Sequence, residues 1–187
     1  MNLRRWGAVL AAVLGFLVAF ELTARVEDWV RYRMPFDSPY RSEGDLAVRD
    51  SLGVHGRPNA RYLKWQMNSL GLRGPEVTAA RPEGVLRVVV VGASEAFGQS
   101  ESPGQELPRQ LEDTLRARLM DMDAPWTGVQ VLNAAFFGMS LPTVLQDIQL
   151  RLRHFEPQVI VLYPTTAQYL ANERPEPSTP GAGAAPA

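Results

Sequence analysis

Val88-Val89-Val90-Val91 runs directly into Gly92-Ala93-Ser94-Glu95-Ala96-Phe97-Gly98, and the reading of this junction decides the fold. Four consecutive β-branched residues read as a strand buried on both faces, as in a parallel sheet. The glycine and serine that follow end the strand and present a hydroxyl. In an α/β protein this is the carboxyl edge of the sheet, where ligands bind and nucleophiles stand. Ser94 is therefore the first candidate site residue. Its bland alternative is an N-cap for the next helix, a role serine favours.

Working outward, Val85 to Val91 is expected as the first strand. A helix follows, on which Leu107, Leu111, Leu115 and Leu119 recur every fourth position. A second strand is expected over Val129 to Ala134, and a second helix over Leu141 to Phe155. One face of that helix collects Leu141, Val144, Leu145, Ile148, Leu152 and Phe155. Gln158 to Tyr163 is the third strand. The β-α-β-α-β alternation with short connections argues for a parallel, doubly wound α/β sheet. Three loops then bear on function: the one holding Ser94, Asn133 to Ser140, and Pro164 to Tyr169.

The amino terminus carries a membrane signal. Arg4 and Arg5 precede an apolar run from Trp6 to Phe20, and helix is expected to continue to Val26. Residues 1–26 thus read as an anchor, or as a cleaved signal segment whose apolar run has a similar length. Leu22 and Ala24 make a poor cleavage pair, which favours the anchor. Arginines before the run, against Glu21, Glu27 and Asp28 after it, place the N-terminus in the cytoplasm and the bulk of the chain on the periplasmic or extracellular side. Residues 27–84, punctuated by Pro35, Pro39, Pro58, Pro75 and Pro82, read as an irregular lead-in. Two readings compete for it, a stalk and a segment packed on the domain. Tyr62, Trp65 and Met67, costly to leave in water, favour packing. The α/β domain takes 85–174, and the Pro/Ala/Gly-rich 175–187 is expected to be disordered.

Composition narrows the chemistry. A net charge of −1 over 187 residues gives no basic field for nucleic acid. The absence of cysteine excludes disulfides, a thiol nucleophile and thiolate metal sites. His55 and His154 are the whole imidazole inventory. Five residues separate Gly92 from Gly98 and Gln99 follows, so the loop is no P-loop. Ala93 and Ser94 break a dinucleotide fingerprint, and Gly-x-Ser-x-Gly is not present there. No cofactor and no metal are expected.

Gly92-Ala93-Ser94-Glu95, followed by Phe97-Gly98, resembles the serine block of the SGNH or GDSL-type hydrolases, with Ala93 in place of the usual Asp. Asn133-Ala134-Ala135-Phe136-Phe137-Gly138 resembles the family's second block, and Asn68 to Glu76 a lead-in seen in membrane-anchored members. The resemblance spans about residues 59 to 174. It implies a three-layer α/β/α, flavodoxin-like domain with Ser94 as nucleophile and Gly138 as an oxyanion glycine. In the third block Thr166 stands where the family has an oxyanion-hole Asn. The acid–base block Asp-x-x-His has no counterpart, since neither Asp nor His follows Ala167. No Asp elsewhere is followed three residues later by His, and no base is found. His154, near the end of the second helix, is expected at the sheet edge opposite Ser94.

The resemblance implies an ester hydrolase or acyl transferase acting on an O-acylated envelope glycan. The missing block suggests an impaired site, or an incomplete domain that a protein partner completes. A non-catalytic envelope protein binding a glycan or a partner is the alternative.

Overall fold

The computed structural model describes residues 3–121 and 123–164. The chain begins with α1, Leu3–Tyr32, whose apolar stretch from Trp6 to Phe20 is exposed. Its stretch Trp6–Tyr32 is long and apolar enough to cross a membrane. The helix outruns its expected end at Val26 because Glu21–Arg25 (2.8 Å) and Glu27–Arg31 (3.1 Å) carry the polar turns with i,i+4 pairs.

The lead-in, expected to be irregular, contains short regular elements. After a short 3₁₀ turn, Glu43–Leu46, come two antiparallel hairpins. Strands β1 (Ala47–Asp50) and β2 (Gly53–Gly56) form the first, β3 (Arg61–Tyr62) and β4 (Trp65–Gln66) the second. The expectation of packing rather than a stalk holds, for Trp65 and Met67 are buried. Asn68 organises the chain after β4. Its Oδ1 accepts from the Leu70 and Leu72 amides, and its Nδ2 donates to the Pro75 carbonyl, each at 3.0 Å.

The central sheet comprises β5 (Val85–Gly92), β6 (Gly128–Asn133) and β7 (Val159–Tyr163), parallel and in the order β6-β5-β7. Val88 of β5 faces Val131 on one side and Val159 on the other. Between strands lie α2 (Ser94–Phe97), α3 (Leu107–Met120) and α4 (Leu141–Leu150). The mixed α/β architecture and the parallel sheet agree with the sequence pattern. Leu111, Leu115 and Leu119 of α3 pack against the core, while Leu107 is exposed. The second helix is shorter than expected. At Arg151 the backbone leaves regular helix, and a 3₁₀ turn, Leu152–Phe155, completes the segment. Asp147 holds the Arg151 guanidinium with two bonds, 2.6 and 2.8 Å, and Arg151 Nη1 reaches the Leu70 carbonyl. A buried ion pair thus ties α4 to the lead-in.

The two sheet edges differ. At β6, the Val131 amide donates to Glu112 Oε2 (2.9 Å), and Arg109 Nη2 donates to the Val131 carbonyl. Side chains of α3 therefore satisfy an edge strand that would otherwise offer bare backbone. At β7, Val159, Ile160, Leu162 and Tyr163 are all exposed.

Arg87, read within an apolar strand, is fully buried. Its Nε and Nη2 donate to Gln130 Oε1 (3.1 and 2.7 Å), and Nη1 donates to the Ala79 and Phe155 carbonyls (2.8 and 2.9 Å). Burial pushes the guanidinium below its ordinary value. Replacing it would strand several buried acceptors, each costing about 1–3 kcal/mol. Arg87→Met is expected to lower unfolding free energy by about 3 kcal/mol or more, read from urea melts.

Asp45 anchors the start of the lead-in. Backbone N–H bonds from Arg41 (2.8 Å), then the Ser42 hydroxyl and amide, hold its carboxyl below the ordinary 3.8. A lowered folded value means the stabilisation is complete above the unfolded value and is lost as pH falls through the folded one. Asp45→Asn is expected to flatten stability against pH only below about pH 4, measured by thermal melts across pH 2–6.

Candidate functional site

The turn after β5 is built from close backbone approaches. A Cβ on Gly92 would lie 2.4 Å from the Tyr163 carbonyl oxygen, so β5 and β7 meet here without a side chain between them. Ala93, at φ −102° and ψ −147°, is the N-cap residue of α2. Ser94 is already inside the helix, and its side chain makes no capping bond. The N-cap alternative for Ser94 is thus overturned. The Ser94 hydroxyl instead donates to Glu95 Oε2 at 3.1 Å. One turn later Phe97 is fully buried against Trp65, Phe136 and Phe137, with ring centroids 6.3, 5.6 and 4.3 Å away.

Ser94 is half-buried on the wall of a cavity of about 550 Å³. Glu95, Gln99, Glu101, Gln105 and Tyr163 share that wall. The cavity lies beyond the carboxyl ends of β5 and β7. There the chain has placed its next strand on the opposite side of β5, the kind of crevice in which open α/β sheets bind ligands.

Gly138 follows the end of β6, at the same sheet edge. The Phe136 amide donates to the Gly92 carbonyl (3.2 Å), joining the second loop to the serine loop. Gly138 itself is exposed, with φ +65°, and does not line the serine cavity. Thr166 and the tail 175–187 lie outside the described residues.

Neither histidine joins Ser94. His55, on β2, is buried, with Nδ1 3.0 Å from the Gly56 carbonyl and Nε2 3.3 Å from Asp50 Oδ2. His154 sits in the 3₁₀ turn before β7, at the amino edge of the sheet, as expected. Its Nε2 faces Arg153 Nε at 3.3 Å.

Two features escaped sequence reasoning. The first is Glu95 as the hydroxyl's partner, for which adjacency was the only signal. The second is Arg73. This guanidinium is buried beneath the serine turn, where Nη1 donates to the Phe97 carbonyl (2.7 Å) and to that of Gly98. It also stacks 4.8 Å from the Phe97 ring centroid, and Asn133 Nδ2 donates to the same Phe97 carbonyl at 3.1 Å. Burial lowers the Arg73 pKa, against the opposing pull of Glu106 and Glu101.

No family model and no curated protein matches the sequence.

Gly98 closes the turn at φ +84°, and a Cβ there would stand 2.5 Å from Glu106 Cβ. Both strain and collision oppose a side chain. Gly98→Ala is expected to destabilise the fold by about 1–3 kcal/mol, measured by chemical denaturation. The same variant should shift the Phe97 ring resonances, because that ring packs directly over the displaced turn.

Proposed function

We propose that this chain is a membrane-anchored protein resembling the SGNH hydrolases, with Ser94 as the residue that attacks an acyl ester. The observation that carries the reading is the Ser94 hydroxyl. It is free of any capping role, hydrogen-bonded to a carboxylate, and set on a cavity wall at the carboxyl end of the central strand. The order β6-β5-β7, with the first strand of the sheet in the middle, suits the flavodoxin-like, three-layer arrangement that the resemblance implies. The substrate class is an O-acyl ester, such as an acylated envelope glycan, met on the periplasmic or extracellular side of the cytoplasmic membrane.

In the proposed reaction Ser94 Oγ attacks the acyl carbonyl carbon while its proton passes to Glu95. The Ser94 amide donates to the oxyanion, while Gly138, the glycine that the resemblance assigns to this role, lies outside the cavity wall. Expulsion of the alcohol, which recovers the proton, leaves an acyl-serine that water then hydrolyses. A carboxylate is a weaker partner than imidazole for this proton. General acid–base assistance is typically worth about 10²–10⁴ in rate, and only part of it is available here. Slow turnover is therefore part of the proposal. Thr166, at the position of the family's Asn, stands as the proposed second oxyanion donor.

A non-catalytic reading has one observation in its favour. Both ring nitrogens of His55 lie within 3.3 Å of oxygens away from Ser94, and His154 belongs to the other sheet edge. In that reading the cavity binds a glycan or a protein partner without turning it over. The exposed apolar surface of β7 fits a domain completed by further chain, from a partner or otherwise.

Hydrolysis of p-nitrophenyl acetate by the detergent-solubilised protein separates the two. Ser94→Ala is expected to abolish turnover above background, and Glu95→Gln to reduce it by about tenfold or more. Equal rates for wild type and Ser94→Ala would leave the binding reading in possession of the site.

A further inference from the structure

A second cavity, of about 620 Å³, opens where the end of α1 meets the β3–β4 hairpin and the loop 102–106. Five basic side chains line it, Arg31, Arg33, Arg61, Lys64 and Arg73, against two carboxylates, Glu76 and Glu106. Both carboxylates are already engaged. Glu76 accepts from the Ser69 amide and hydroxyl, and Glu106 Oε2 accepts from the Gly104 amide at 2.8 Å. Several of the cations retain donors. Arg61 uses one N–H on the Tyr32 carbonyl, and Lys64 uses one on the Ser100 carbonyl at 2.8 Å. Arg33 lies over the Trp29 ring at 5.1 Å, and Arg31 is paired with Glu27.

The deepest cation supplies an independent observation. The Arg73 side chain is only 3% exposed, and its Nη2 is buried with no hydrogen-bond partner. The nearest carboxylate oxygen, Glu106 Oε2, stands 3.9 Å away, beyond hydrogen-bonding distance. Arg73 lines this cavity, and its Nη2 is a buried donor without an acceptor.

Position along α1 narrows the source of that acceptor. At 1.5 Å per residue, the 27 residues from Trp6 to Tyr32 extend about 40 Å. A bilayer has about 30 Å of hydrocarbon and about 40–45 Å with its headgroups. A membrane-spanning α1 therefore delivers Arg31, Tyr32 and Arg33 to headgroup level, and the cavity with them.

We propose that this cavity binds a phosphate ester, the headgroup of an anionic phospholipid in the membrane that α1 spans. Arg61, Lys64 and Arg33 grip the phosphate from the rim and Arg73 Nη2 bonds it from beneath. The proposal rests on the membrane reading of α1 and is independent of the chemistry at Ser94.

The test uses the full chain in maltoside micelles, titrated calorimetrically with dihexanoyl phosphatidylglycerol, dihexanoyl phosphatidylcholine and inorganic phosphate. Phosphatidylglycerol is expected to bind about tenfold or more tightly than either other ligand. Arg61→Gln combined with Lys64→Gln should weaken it by about tenfold or more, while Arg61→Lys should preserve most of the affinity. Inorganic phosphate binding as tightly as the lipid, with the same loss in the double variant, would keep the anion site but overturn the lipid as its occupant. Equal binding of the two lipids would overturn the anionic headgroup as the occupant, and a folded double variant with unchanged affinity would overturn the site itself. A matched thermal melt establishes that the double variant is folded, and Arg33→Gln, at the rim, provides a second variant should it not be.

Discussion

The arrangement depends on two buried guanidinium groups, one at each end of the central strand. Arg87 lies near the start of β5 and gathers Gln130, the lead-in carbonyl of Ala79 and the Phe155 carbonyl. Arg73 lies beyond the far end and gathers the carbonyls of Phe97 and Gly98. A three-stranded parallel sheet offers little area, and hydrophobic burial alone would leave its ends frayed. Guanidinium groups suit this position because one planar fork satisfies several carbonyls that strand ends and tight turns cannot pair among themselves. Neither arginine has a close, hydrogen-bonded carboxylate partner. Their charge is accommodated by backbone dipoles, and burial depresses both pKa values.

That constraint explains why the lead-in belongs to the domain. Arg73 comes from the segment that Asn68 folds back, and its own amide donates to the Asn133 carbonyl at 3.2 Å. The lead-in therefore touches β6 by backbone and the serine turn by side chain. Trp65 follows the same route into the aromatic cluster around Phe97. The serine turn has its geometry imposed from below by residues that precede it by some twenty positions.

What could be read from sequence, and what could not, divides along physical lines. The strands β5, β6 and β7 and the helix α3 announce themselves through β-branched runs and a four-residue apolar repeat, and those signals are strong because burial enforces them. The hairpins β1–β2 and β3–β4 were invisible, since strands of two and four residues are too short to show a period. Arg73 and Arg87 were missed for a different reason. A charged residue reads as solvated, and only the three-dimensional supply of carbonyls makes its burial tolerable. Ser94 was placed correctly at the strand end, but its partner was not, because whether Glu95 turns to the hydroxyl or to water is settled by a side-chain rotamer.

The segment from Gln99 to Leu107 walls both cavities. Ser100, Glu101, Gln105 and Leu107 face the cavity of Ser94, while Ser102, Pro103, Gly104 and Glu106 face the basic one. Lys64 holds the Ser100 carbonyl, and Glu106 curls back on the Gly104 amide, so the segment is pinned at both points. Lys64 and Arg73 thus line the basic cavity while bonding the loop and the turn beside Ser94. The separation between the two cavities is a few residues of one loop. The end of α1 lines the basic cavity, and the loop that closes that cavity on one side also walls the cavity of Ser94.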